Sequence, residues 1–312
     1  MKKRLLTGLQ PSGALHIGNY FGALKPFVEI YKDYESHIMV ADLHALTSLR
    51  EANALRENIK NVVKDYIGVG INPDEAILFK QSDVPEHTEL AWIFECLVTV
   101  PFLNQAHAYK DKVAKGLEAN AGLFNYPMLM AADILLYDSE VVPVGEDQRQ
   151  HIEYAREAST KFNLAYGETF GAPQEMILKG VGLIPGTDGQ KMSKSYKNTI
   201  PLFGTKDEIA KAVMGIVTDS SGERPANVYA IHKLFRTETE LESVYEEHKG
   251  KYKNLKEALI ADIETVVAPM REKRESVTDA DVTTILKQGS ERARERASKK
   301  MSEVRKKIGI AL

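Results

Sequence analysis

Lys191 and Lys194 stand three apart in the run Gln190-Lys191-Met192-Ser193-Lys194-Ser195, which also carries two serine hydroxyls. The preceding Pro185-Gly186-Thr187-Asp188-Gly189 consists of turn residues, which places the pair on an exposed, bendable loop. Two mobile ammonium groups and two hydroxyls suit a polyanion, although a solvated loop is the commoner explanation of an isolated Lys-Ser cluster. A second polar group lies far upstream. In Pro11-Ser12-Gly13-Ala14-Leu15-His16-Ile17-Gly18-Asn19, His16 and Asn19 are spaced to share one helical face, and Gly18 lets a ring or phosphate approach the backbone. The third is Asp133, a carboxylate inside the apolar run 128–136. Buried there, it must find a donor, from the protein's own backbone or from a ligand.

Such groups need a scaffold to bring them together, and the first half of the chain alternates strand and helix. Residues 4–9 form a short apolar run that ends in the Gln10-Pro11-Ser12-Gly13 turn, and residues 14–31 repeat apolar residues at helical spacing. Residues 37–46 form a second apolar run, suited to a strand buried on both faces. Residues 51–67 are helical and 76–80 a third strand. This order predicts an α/β, doubly wound parallel sheet with right-handed crossovers, whose ligands bind beyond the C-terminal strand ends. Residues 10–19 would then lie where a nucleotide lies, with a helix N-terminus near the phosphates. Residues 86–137 read as a mostly helical insertion and 141–144 as another buried strand. Gly145-Glu146-Asp147-Gln148 opens a helix over 148–161, with Asp147 as its cap.

After residue 200 the pattern becomes helical, over 207–217, 228–235, 238–245, 254–273 and 279–308, punctuated by Pro225, Gly250 and Thr278 as an N-cap. Residues 1–200 are therefore expected to form the α/β domain and 201–312 a helical bundle packed on it. Residues 287–307 carry nine Lys/Arg against three Asp/Glu, a net of +6. That run is either a solvated amphipathic face or a phosphate-contacting one. The chain as a whole has a net charge of −3, so any polyanion must be met locally. Its one cysteine, Cys96, sits in an apolar run and reads as a small buried hydrophobe in a reducing compartment. The basic start Met1-Lys2-Lys3-Arg4 is followed by only two leucines, and no stretch reaches the ~18 apolar residues of a membrane span. A cytoplasmic protein with no membrane partner is expected.

Residues 191–195 form an unbroken KMSKS signature, and residues 16–19 resemble the HIGH signature of class I aminoacyl-tRNA synthetases, with Asn19 in place of the second histidine. The match extends to Thr7-Gly8-Leu9-Gln10, to Leu129-Met130-Ala131-Ala132-Asp133-Ile134-Leu135, and to Val144-Gly145-Glu146-Asp147-Gln148 with His151. These resemble the bacterial tryptophanyl-tRNA synthetase family. The resemblance implies ATP-dependent activation of L-tryptophan with Mg²⁺, release of pyrophosphate, transfer to the 3′ end of tRNA(Trp), and a homodimer. It also implies that the helical region reads the anticodon.

Carried over residue by residue, the resemblance makes His16 and Asn19 donors to the phosphates and makes Lys191 and Lys194 clamps on the leaving pyrophosphate. It places Lys112 near the phosphates, although beside Lys110 and Lys115 this residue reads equally as a surface lysine. Contacts to ATP are implied for Gln10, Pro11, Ser12, Gly18, Gly145, Glu146, Asp147 and Ile184, and for Met192, Ser193 and Ser195 of the signature. Asp133 would accept the indole N–H at the end of a slot lined by Leu6, His44, Met130, Val142 and Val144. Tyr126 and Gln148 would hold the α-amino and carboxylate groups. No metal ligands are assigned, because Mg²⁺ would arrive with ATP. A phenol O–H could also donate to Asp133, which keeps a tyrosyl enzyme open. Another nucleotidyl transferase bearing the HIGH signature, or a nucleotide-binding protein without chemistry, fits the two complete signatures less well.

Overall fold

A computed structural model describes residues 2–116, 119–145, 149–178, 183–218 and 224–311. Strand β1 (Arg4–Leu9) leads through a turn to helix α1 (Ile17–Asn19), a π-helical turn (Tyr20–Leu24) and α2 (Lys25–Ile30). One continuous helix was expected here. Pro26 has no N–H to give to the carbonyl four residues back, and the turn ahead of it is widened instead. Next come β2 (Glu35–Val40), α3 (Asp42–Ala45), α4 (Ala52–Gly68) and β3 (Ile77–Lys80). The insertion holds α5 (Glu86–Glu95), α6 (Val100–Leu103), α7 (His107–Ala114) and α8 (Ala121–Leu136). Strand β4 (Val141–Val144), α9 (Arg149–Tyr166) and β5 (Gln174–Ile177) complete the sheet.

The five strands run parallel in the order β3-β2-β1-β4-β5, the doubly wound topology expected. The order reverses at β1, so the crevice beyond Leu9 is the topological switch point. Alternate residues along the strands feed opposite faces. Leu5, Ile38, Val40 and Leu78 join one apolar cluster, whereas Leu6, Met39, Ile77 and Phe79 join the other. Both faces are dry, which is why these strands read as unbroken apolar runs rather than alternating ones. Strand β5 was not anticipated, because Gln174–Ile177 is short, polar at its start and only partly buried.

The helical tail comprises α10 (Lys206–Met214), α11 (Ala226–His232), α12 (Glu238–Glu247), α13 (Tyr252–Glu275) and α14 (Asp279–Ile308). Capping boxes at Thr205/Glu208, Thr237/Glu240 and Thr278/Asp281 fix the starts of α10, α12 and α14. The tail shares its core with the α/β half. Ile209, Val213, Val228 and Ile263 lie in the cluster under one face of the sheet. Helix α14 crosses the β3 edge and serves both faces, with Val282 and Leu286 on one side and Ala293, Ala297 and Met301 on the other. At the crossing, a Cβ on Gly289 would sit 1.8 Å from the Leu78 carbonyl oxygen, so only glycine fits. The edge strand is thereby covered.

Two expectations need correction. Cys96 is exposed, because α5 turns Leu90, Ala91 and Phe94 inward and leaves Trp92 and Cys96 outside. The basic face of α14 is largely spent inside the protein. Arg296 pairs with Glu35, Arg305 with Glu89, Arg294 with Glu86 and Lys300 with Asp138, while Arg292 donates to the Ala76 carbonyl. These cations fasten the last helix to the α/β half. Among the described residues, no helix is long and apolar enough to cross a membrane.

Candidate active site

A cavity of about 1150 Å³ opens at the switch point and runs between the C-terminal ends of β1 and β4. Gln10, His16, Gly18 and Asn19 line one end, together with Gly145, Ile184 and Lys191, Met192, Ser193 and Ser195. Leu6, His44, Tyr126, Met130, Asp133, Val142 and Val144 line the other end. Two groups of residues that the chain keeps far apart thus share one space.

The His16 turn is set by a capping box. The His16 N–H donates to Asn19 Oδ1 at 3.1 Å, and the Asn19 N–H donates to His16 Nδ1 at 3.3 Å. With Nδ1 accepting, the ring proton belongs on Nε2. The amide oxygen of Asn19 is likewise committed, which leaves its NH₂ as the outward group. Burial, followed by the nearby Lys194 charge, lowers the His16 pKa to about 4, so the ring is a neutral donor. His16 is therefore the N-cap, in extended backbone conformation, rather than a residue on the helical face. Gly18 has a packing role as well. A Cβ there would meet His16 Nδ1 at 2.8 Å and Met192 Cβ at 3.3 Å, so this is where the two signatures touch. The Ile17 N–H bond to the Ile200 carbonyl and the Leu202 N–H bond to the Leu15 carbonyl hold the segments together.

The second signature lies on a hairpin-like loop. Met192 N–H donates to the Ile184 carbonyl, and Gly186 N–H donates to the Gln190 carbonyl. Asn198, buried just past the signature, organises this loop. Its Nδ2 donates to Asp188 Oδ1 at 2.7 Å and to the Lys191 carbonyl at 3.0 Å, and its Oδ1 accepts from Ser193 N–H at 2.8 Å. A Cβ on Gly186 would fall 2.3 Å from the Asn198 amide, and Gly189 sits at φ +83, so both glycines are required by the backbone. Lys194 is not among the lining residues, and its Nζ donates to the carbonyls of Gly13 at 3.1 Å and Ser12 at 3.4 Å. Burial lowers its pKa, and the charge of Asp65 opposes that shift.

Asp133, only 1% exposed, projects from α8 at the far end. Its donors are side chains rather than backbone. His44 Nε2 lies 2.7 Å from Oδ2, and Gln81 Nε2 lies 2.8 Å from Oδ1. His87 Nδ1 lies 2.6 Å from Oδ1, though its N–H is bent away from the hydrogen-bond axis. Burial pushes the carboxyl up, but His44 and His87 outweigh it and hold the pKa at about 2. Around this anion the slot is apolar. Tyr126 places its hydroxyl 2.5 Å from His151 Nε2, and burial, with Tyr154 beside it, raises its pKa to about 12.

The residues singled out from the sequence divide into three sets. The cavity gathers most of them, as described above. Lys112 does not line it but sits partly exposed on α7, one of the lysines of a polar helix. Pro11 and Ser12 also stand back from the lining, and Ser12 contributes only its carbonyl to Lys194. Glu146, Asp147 and Gln148 lie outside the described residues. Sequence reasoning gave no role to His151, Gln81, His87 or Asn198. His151 stood within a matching segment, whereas Gln81, His87 and Asn198 carry no periodic or motif signal of their own. A smaller groove of about 480 Å³ between α4 and α14 contains none of the candidate active-site residues.

Comparison with known proteins agrees with this geometry. The profile of the family described as tRNA synthetases class I (W and Y) matches residues 1–293. The tryptophan–tRNA ligase of Fusobacterium nucleatum subsp. nucleatum is 46% identical, over 99% of this chain and 98% of that protein. That of Rhodopirellula baltica is 45% identical, over 98% and 99%. The crystal structure of Campylobacter jejuni tryptophanyl-tRNA synthetase complexed with ADP and tryptophan superposes with a TM-score of 0.93 at 40% identity, covering 98% of this chain and 99% of that one. The chain belongs to the class I tRNA synthetases of the W and Y type, among the bacterial tryptophan–tRNA ligases.

Proposed function

We infer that this protein is a tryptophan–tRNA ligase that activates L-tryptophan with ATP and esterifies the 3′ end of tRNA(Trp). The observation that carries the reading is the single cavity with a buried anion in an apolar slot at one end and neutral and cationic donors at the other. In the first step a carboxylate oxygen of tryptophan attacks the α-phosphorus of ATP. A P–O bond forms to the amino acid, and the P–O bond to pyrophosphate breaks. No protein nucleophile is needed, so catalysis rests on positioning and on stabilising phosphate charge. In the second step a terminal ribose hydroxyl of the tRNA attacks the activated carbonyl, and AMP leaves.

His16 Nε2–H and the Asn19 amide donate to the phosphates, and Lys191 and Lys194 neutralise the leaving pyrophosphate. Lys194 must exchange the carbonyls of Ser12 and Gly13 for phosphate oxygens, which couples loop movement to the nucleotide. Mg²⁺ enters as part of the nucleotide substrate. Asp133 accepts the indole N–H, with Leu6, Met130, Val142 and Val144 around the ring. Tyr126 and Gln148 hold the amino-acid head. The helical tail contacts the anticodon arm.

The protein works in the cytoplasm as a homodimer. Trp92, 67% exposed, Val100, 61% exposed, and the exposed Cys96 form an apolar surface at the end of α5, of the kind that a second subunit covers.

Steady-state exchange of pyrophosphate into ATP, combined with equilibrium tryptophan binding, tests the assignment. Lys194→Ala is expected to slow adenylate formation by about a hundredfold while tryptophan binding changes little. Asp133→Ala is expected to raise the KM for tryptophan and leave that for ATP. Equal losses in both measurements for Lys194→Ala, or an unchanged KM for Asp133→Ala, would overturn these roles.

A further inference from the structure

The Asp133 carboxylate is held from behind by groups that do not touch the cavity. Gln81, His87 and Tyr137 are fully buried and absent from the cavity lining, whereas Asp133 and His44 face it. The orientation of each supporting group is fixed in turn. Gln81 Oε1 accepts the Leu43 backbone N–H at 3.1 Å, which turns its NH₂ toward Asp133. His87 Nε2 lies 2.7 Å from the Tyr137 hydroxyl, and the ring stacks on Phe79 with centroids 6.1 Å apart. Burial, with the charges of Asp133 and Glu86 next, raises the Tyr137 pKa well above its ordinary value. His87 Nδ1 lies 2.6 Å from the Asp133 carboxylate, where a lone pair would face an anion, so the ring proton sits on Nδ1 and Tyr137 donates to Nε2.

A carboxylate offers about four acceptor positions. His44 and Gln81 take two of them, His87 lies beside a third, and Asp133 itself lines the slot. We infer that His87 and Gln81, with Tyr137 behind His87, are specificity-determining positioning residues: they hold the donors around Asp133 toward its carboxylate, so that, among the described residues, Asp133 and the groups behind it present a substrate side chain with an acceptor and no donor. This rests on Asp133 being the acceptor of the indole N–H. An indole N–H only donates, and it satisfies such a site completely. A phenol hydroxyl also donates to Asp133, but its own lone pairs then meet no donor among Asp133 and the groups behind it. The selection between tryptophan and tyrosine, which a carboxylate alone does not make, is thus made by the groups behind it.

The test is pyrophosphate exchange by the full-length protein with three substrates: tryptophan, tyrosine, and 3-(3-benzothienyl)alanine, in which sulfur replaces the N–H. The variants are His87→Phe, Gln81→Met, Tyr137→Phe, which deletes a single oxygen, and Asp133→Asn. Each supporting variant is expected to raise the KM for tryptophan about tenfold, with kcat changed less than about threefold. Each should also shrink the preference for tryptophan over benzothienylalanine by a similar factor and raise the relative use of tyrosine. Equal losses on tryptophan and benzothienylalanine, or no change on either, would overturn the inference. Should His87→Phe fail to fold, Tyr137→Phe and Gln81→Met decide the matter. Asp133→Asn separates the two layers of the argument. If it leaves the preference intact, Asp133 is not the indole acceptor and both readings fall. If it abolishes the preference while the supporting variants keep it, the Asp133 assignment stands and this inference alone fails.

Discussion

His16 illustrates how a turn prepares a side chain. The capping box with Asn19 uses Nδ1, so the remaining donor is Nε2–H, and burial together with Lys194 keeps the ring neutral. In the proposed mechanism, a neutral donor at this position needs no proton returned after the triphosphate departs. The consequence for pH can be given a sign. The His16 pKa is lowered in the folded state to about 4 from 6.5, so between those values the unfolded chain binds the proton first. Over that window His16 works against the folded state as pH falls, and the effect is absent above it. The His16 ring is accordingly expected to titrate near 4 in an NMR experiment. His16→Gln should lose less stability than the parent protein between pH 6.5 and 4. A ring that titrates at 6.5 would mean that His16 is solvated and that its donor is not fixed. Asp133 has the complementary arrangement, an anion held by donors in an apolar run, and the sequence showed that it needed a partner without showing which. The partners come from the α3 region, the end of β3 and α5, and only the fold brings these together.

The elements were legible where their signal is periodic or chemical. Strands β1 and β4 fell on the residues expected, as did α14, because an apolar run bounded by turn residues or a Thr/Asp capping box marks an end unambiguously. The widened turn at Tyr20–Leu24 and strand β5 were not legible. The first arises from a proline effect that helical spacing does not display, and the second is a half-buried edge. The signature loop was recognised as a loop, but its anchor was not, since an asparagine in Lys197-Asn198-Thr199 looks like any polar loop residue. Its three hydrogen bonds to Asp188, Lys191 and Ser193 predict the effect of removing it. Asn198→Ala should lower kcat for adenylate formation at least about tenfold, through misplacement of Lys191 and Lys194, while tryptophan affinity stays within about twofold. A loss of tryptophan affinity as large as the loss in kcat would show that Asn198 supports the whole domain rather than the loop.

At the scale of the molecule, the helical bundle expected to pack on the α/β half shares its core with it. Helix α14 runs back over the β3 edge, with Gly289 against Leu78 and its cations paired to Glu35, Glu86, Glu89 and Asp138. The net charge of +6 over residues 287–307 was legible, but its destination was not, because the acidic partners are distant in the chain. The surface that carries Trp92 and Val100 belongs to the same scale. Trp92→Glu is expected to shift sedimentation from dimer toward monomer at micromolar concentration, and an unchanged sedimentation coefficient would place the subunit contact elsewhere. The central claim is that one cavity joins an indole-selective slot to a phosphate-binding end. Amino-acid-dependent exchange of pyrophosphate into ATP, run with each of the standard amino acids, tests it most directly. Exchange is expected with tryptophan, and background rates with the others. Exchange driven by tyrosine, or none with any amino acid, would contradict it.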